Sequence, residues 1–81
     1  MMRMGVATIM AVADEGVTLA DGRIAALFEL LVRPPGGHAF TATARALLDG
    51  RQQLGRLQPG RDVPVRLYGP RRVVLDLAPK D

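Results

Sequence analysis

Turn signals recur so often along this chain that only short pieces are left between them. Asp14-Glu15-Gly16, Asp21-Gly22, Pro34-Pro35-Gly36-Gly37, Pro59-Gly60 and Gly69-Pro70 each supply the fixed or positive φ that a reversal needs. Between them apolar residues alternate. Val6, Thr8, Met10 and Val12 interleave with Ala7, Ile9 and Ala11, and Val63, Val65 and Leu67 interleave with Asp62, Pro64 and Arg66. A period of two is the signature of a strand.

Residues 23–33 fit both periods, since Ile24, Leu27, Phe28 and Leu31 make a helical stripe while Ile24, Ala26, Phe28, Leu30 and Val32 make a strand face. Alanine and leucine favour the helix. The flanks favour the strand: Asp21-Gly22 is a strong hairpin signal, and Pro34-Pro35-Gly36-Gly37 turns the chain into another alternating run, Phe40, Ala42, Ala44 and Ala46. The spacing thus predicts a long bent first strand over 6–20 with Gly16 as its bulge, then strands over 23–33 and 38–48. The alternation breaks over 49–58, where Asp49 is placed to cap a short helical turn carrying Leu54 and Leu57. Strands over 62–68 and 72–78 follow.

That order predicts an all-β fold: a small five-stranded barrel, OB-like, with a helical turn between strands 3 and 4. An SH3-like barrel or an open sandwich is the rival architecture. The single domain is expected over 5–78, with residues 1–4 and 79–81 as tails. Pro64 implies that the fourth strand lies on an edge or at a bulge, because proline donates nothing to a ladder.

With 81 residues and only Phe28, Phe40 and Tyr68 as aromatic bulk, the core is small. The sequence contains no cysteine, which removes disulfides, thiolate chemistry and the usual zinc site together, and fits a reducing compartment. No metal or other cofactor is expected. Arg23, Glu29 and Arg33 interrupt the longest apolar run, so no transmembrane segment is expected. Arg3 followed by the apolar stretch 5–13 imitates an export signal, but cleavage there would remove the first strand. The expected location is cytoplasmic, or alternatively the inner face of the membrane through a partner.

The series Gly5-Val6-Ala7-Thr8-Ile9, Gly16, Asp21-Gly22-Arg23, Phe28-Glu29-Leu30-Leu31-Val32 with Pro34-Pro35-Gly36-Gly37, and Leu57-Gln58-Pro59-Gly60 leading into Val63-Pro64-Val65-Arg66 resembles an uncharacterised family of small β-barrel domains in high-GC bacteria. The resemblance spans residues 5–77 and implies a fold rather than a chemistry. Many such domains look like the soluble portion of proteins with transmembrane helices or a short helical C-terminal oligomerisation motif. Neither pattern occurs in these 81 residues. Tyr68-Gly69-Pro70 also departs from the Asp-Pro turn that tends to follow the fourth strand in that family.

Catalysis has little to start from. The chain has no serine, and its one imidazole, His38, reads as an exposed residue at a strand start with Thr41 and Thr43 nearby. Asp14 and Glu15 read as solvated turn residues, and Glu29 and Asp76 are isolated. Gly-Arg-Gln-Gln-Leu-Gly at 50–55 lacks the lysine and hydroxyl of a phosphate loop. No enzyme is expected.

The arginines say more. Seven fall between Arg45 and Arg72 against Asp49 and Asp62, whereas the first 44 residues carry three against four acids, within a net charge of +3. Arg61, Arg66, Arg71 and Arg72, with Tyr68 as the one stacking candidate, form the expected contact set for an anion or nucleic acid, joined by Arg51 and Arg56 from the connection. The competing reading makes them solvated strand arginines that block edge pairing. On balance the residues suggest a non-catalytic module that binds itself or another bacterial protein. Weak, electrostatically driven single-strand nucleic-acid binding is the alternative.

Overall fold

The computed structural model of the chain describes residues 2–69 and 72–77. It contains β1 (Met2–Thr18), β2 (Ile24–Arg33), β3 (Phe40–Leu48), α1 (Arg51–Arg56), β4 (Asp62–Tyr68) and β5 (Arg72–Leu75). All pairs are antiparallel, in the order β3-β2-β1-β4-β5. The all-β class and the helical turn between the third and fourth strands are as the sequence predicts. The sheet curls until β3 and β5 are neighbours, yet no hydrogen-bonded ladder joins them. The barrel is therefore a partly open one.

The β1–β2 reversal follows from its own residues. Gly22 has φ +87, Gly22 N–H donates to Leu19 O at 2.9 Å, and Leu19 N–H donates to Arg23 O at 2.8 Å. Asp21 accepts from the Arg23 backbone N–H, which holds its carboxyl below the ordinary value. The Arg23 side chain adds an ion pair at 2.6 Å.

Inward positions alternate on every strand. Ala7 and Ile9 on β1, Ala26, Phe28, Leu30 and Val32 on β2, and Val65 on β4 are at most 1% exposed. Phe28 sits at the centre, its backbone registered between Val12 and Ala44. Leu57 belongs to the buried cluster and Leu54 packs partly against it. The helical turn α1 carries Leu54, and Leu57 is its C-cap residue. Its cap differs from expectation: Gly50 is the N-cap with no side-chain bond, and the Asp49 N–H instead donates to Gln53 Oε1 at 2.7 Å.

β1 is irregular twice. Asp14 and Thr18 pair with Ala26 and Ile24, so 15–17 face one residue of β2. Gly16 lies there with φ +72, its N–H bound by Asp14 Oδ1 at 2.8 Å. This is the expected bulge. A second falls at Met10, where Ile9 pairs with Leu30 but Ala11 pairs with Glu29. The extra residue bends β1 and shifts its alternation, so that Ala7 and Ile9 face inward before the bulge and Val12 after it.

Two expectations are corrected. Residues 2–4, expected in a tail, are strand: Met2, Arg3 and Met4 pair with Tyr68, Leu67 and Arg66. Gly5, the one residue between them and Val6, is paired with Val65 inside the strand, and Arg3 Nη2 donates to Pro35 O at 2.7 Å. The fourth strand is interior rather than at an edge. Pro64 is tolerated because its carbonyl, and with it the nitrogen that lacks hydrogen, faces the β5 side, where Asp76 N–H donates to Pro64 O at 2.9 Å. Regular β5 ends one residue earlier, at Leu75, so the missing donor falls where the ladder stops. Residues 78–81, which include the expected end of the last strand and the C-terminal tail, lie outside the described residues, as does Met1.

The Pro59-Gly60 turn is tied to β1 by two bonds, Gly60 N–H to Ile9 O at 2.8 Å and Ile9 N–H to Arg61 O at 2.9 Å. Gly60 has φ +94, and a Cβ there would meet nothing within 4 Å. The cost of a side chain is then purely conformational. Gly60→Ala is expected to lower stability by about 1–2 kcal/mol, read as a lower urea midpoint at unchanged slope.

Candidate interaction face

The outward positions of the first half of β1, of β4 and of β5 form one surface. The register sets Met2 beside Tyr68, Met4 beside Arg66 and Val6 beside Pro64, and continues Tyr68 to Arg72 and Arg66 to Val74. Met2, Met4, Val6 and Tyr68 remain 37–45% exposed. Four neighbouring large apolar side chains in water are unlike the scattered exposure of an ordinary surface.

Of the five contact residues expected from the sequence, the structure brings three together. The Arg72 guanidinium carbon lies 5.6 Å from the centroid of the Tyr68 ring, close enough for a cation–π contact. Arg66 Nη1 donates to Tyr68 Oη at 3.4 Å, a long bond. Arg66 Nε is 3.7 Å from Asp76 Oδ1 and, although shielded from solvent, makes no hydrogen bond. Arg61 does not join them. It precedes β4, five residues from Arg66 and roughly 17 Å away along an extended chain, with its backbone held by Gln58 and Ile9. Arg51 and Arg56 lie on α1, which packs beside β3. Arg71 lies outside the described residues.

Sequence reasoning missed two parts of this surface. Met2 and Met4 were assigned to a tail, although the period-two run Met2, Met4, Val6, Thr8 was the available signal. The other part is a polar brace across three strands. Thr8 Oγ1 donates to Asp62 Oδ1 at 2.6 Å and accepts from Arg33 Nη1 at 2.7 Å, while Arg33 Nη2 lies 3.2 Å from Asp62 Oδ1. The Thr8 hydroxyl and then Arg33 hold the Asp62 carboxyl below the usual carboxylate range. Because the folded value is the lower one, this interaction stabilises the fold above the ordinary carboxylate pKa and is lost as pH falls through the folded value. The stability difference between wild type and Asp62→Asn is therefore expected to close below about pH 4, as urea titrations between pH 7 and 2 would record.

The remaining acids and hydroxyls have local roles or stand apart. Glu15 pairs with Arg45 at 2.7 Å, and His38 is exposed before β3. Glu29, Thr41 and Thr43 line an open recess of about 390 Å³ with Met10 and Ala42 on the outer side of β2 and β3. It offers one carboxylate and two hydroxyls. No group of three His, Cys, Asp or Glu among the described residues is placed to hold a metal ion, and no helix there is long and apolar enough to cross a membrane. Comparison with protein-family models, curated proteins and solved structures finds no match, so the functional reading rests on these side chains.

Proposed function

We propose that this chain is a non-catalytic interaction module that docks a protein partner through the outward face of β1, β4 and β5. The observation that carries the reading is the exposure of Met2, Met4, Val6 and Tyr68 in neighbouring register positions. Covering them removes apolar area from water, at roughly 25 cal/mol per Å², and methionine adapts to the shape that covers it. Tyr68 and the guanidinium groups of Arg66 and Arg72 at the margin are residue types favoured where proteins meet.

The test uses two baits, the wild-type chain and Val6→Arg, in affinity capture from the native host. Proteins retained by the first and lost with the second support the reading. Identical capture by both baits overturns it, since Val6 lies amid the apolar residues.

A second reading, weak electrostatic binding of single-stranded nucleic acid, is favoured by the Arg66–Tyr68–Arg72 cluster. Arg72 already occupies one side of the only tyrosine ring, and Arg66 already has Asp76 nearby. Both contacts reduce what the cluster offers a base or a phosphate. Anisotropy of a labelled single-stranded oligonucleotide that rises with protein at low salt and collapses at high salt would support this reading. A flat titration at low salt would remove it.

A further inference from the structure

We propose that the free edge of β3 takes up an extended peptide as an added strand, and that Glu29 holds a lysine or arginine of that peptide; this site is separate from the face of β1, β4 and β5 and does not depend on it. β3 and β5 are the two ends of the sheet order, and no ladder joins them. β5 is guarded against stray pairing, being four residues long and opening on Arg72. β3 is not. It runs nine residues without proline, and its one charge, Arg45, is answered by Glu15 at 2.7 Å. Nine positions against four leave about half of the β3 edge with no strand beside it. Cover thins toward the start of β3, where the inward Phe40 and Ala42 are half-buried while Ala44 is buried. Main-chain N–H and C=O groups on that side find no backbone partner among the described residues, and such groups are what an extended peptide reads when it joins a sheet.

Bare backbone accepts any extended segment, but the outer face beside it selects one. Glu29 lies across from Thr43, and Leu31 across from Thr41. Glu29, Thr41 and Thr43, all exposed, line the recess of about 390 Å³ together with Met10 and Ala42. The bulge in β1 shapes this recess: Met10 is the extra residue between Ile9 and Ala11, Ala11 is the partner of Glu29, and the exposed Met10 side chain forms one wall. Glu29 makes no ion pair among the described residues, since Arg45, the arginine on the same face of β3, is turned to Glu15. An added strand puts every second side chain on this outer side. The one across from Thr43 stands two strand spacings, about 10 Å, from the Glu29 backbone. A long basic side chain and the glutamate cover that span together, and the Thr41 and Thr43 hydroxyls accept its remaining donors. Acidic segments are refused by Glu29, and proline-bearing ones by the N–H they lack.

Selection from a phage library of random short peptides on the immobilised full chain, followed by fluorescence anisotropy of the recovered peptides, tests the proposal. Binders are expected to carry lysine or arginine among β-branched residues and to lack proline in the same stretch. Glu29→Gln is expected to weaken them about tenfold, the worth of one hydrogen bond to a charged group, and Glu29→Lys to weaken them further, both with the wild-type melting curve because the side chain is exposed. Amide hydrogen exchange supplies the readout that a surface ion pair alone would not move. Bound peptide is expected to slow exchange in β3 between Phe40 and Ala44, and N-methylation of alternate peptide amides to abolish binding although the basic side chain is kept. A library that yields no binder overturns the proposal, as do binders without basic residues or binders indifferent to Glu29→Lys. Protection confined to β1 and β4 overturns it too, by placing the peptide on the apolar face instead.

Discussion

Phe28→Ala is expected to lower the melting temperature by at least about 12 °C, since it removes about 3–5 kcal/mol and each kcal/mol is worth about 4–8 °C in a domain of this size. The ring is fully buried, and its backbone is registered between Val12 on β1 and Ala44 on β3. Alanine recurs among the buried residues around it, at Ala7, Ala26 and Ala44. Short side chains cannot lean into the space that a lost ring leaves, so the cavity persists and the loss falls at the upper end of its range. Small domains hold only about 5–15 kcal/mol in all, so this one change consumes a large part of the margin. Melting followed by circular dichroism measures it, and a shift below about 5 °C would mean that the barrel is not packed around Phe28.

The second large effect separates two valines on opposite faces of one seam. Val65 points into the core and is fully buried, whereas Val6 is 43% exposed and points outward, although the β1–β4 register places Gly5 beside Val65 and Val6 beside Pro64. Val65→Asp puts a carboxylate where no buried polar group exists among the described residues, at a cost of at least about 3 kcal/mol. Most of the chain is then unfolded, or folded only when acid neutralises the group. Val6→Arg, a larger change in volume and charge, is expected to move stability by no more than about 0.5 kcal/mol. Urea unfolding of the two variants checks the pair together. Equal losses would show that the two valines do not lie on opposite faces of the sheet.

Much of this fold is readable from residue order. β4 (Asp62–Tyr68) starts and stops where its alternation does, because Pro59-Gly60 and Gly69 bound it sharply. β2 is a strand despite its helical stripe, since the turns on either side dictate antiparallel neighbours and pairing overrides intrinsic propensity. Leu54 and Leu57 stand out because they are the only large apolar residues in a stretch that fits no strand.

What escapes the sequence depends on long-range pairing. Val6, Thr8, Met10 and Val12 read as one uninterrupted face, and only the pairing of Ala11 with Glu29 reveals that the phase changes at Met10. Met2 and Met4 continue the alternation of Val6 and Thr8, but the partner that holds them, β4, lies more than 60 residues away in the chain. Pro64 was correctly read as breaking a ladder, yet the break lies on one side of the strand alone. Within the interaction face, Arg66, Tyr68 and Arg72 were legible because they differ by an even number of residues and Tyr68 pairs with Arg72. Arg61 differs from Arg66 by an odd number of residues. Its parity already argued against their meeting.

The seam between β1 and β4 joins the paired stretches that lie furthest apart in the chain. The pairings of β1 with β2 and of β2 with β3 close over short stretches, but Thr8 meets Asp62 only by crossing 54 positions of chain. Closing that span costs entropy before any contact repays it. The three-strand meander can consequently form early and wait, with the first eight residues held at an angle to receive β4. Folding speed is expected to be set by the closing of that seam.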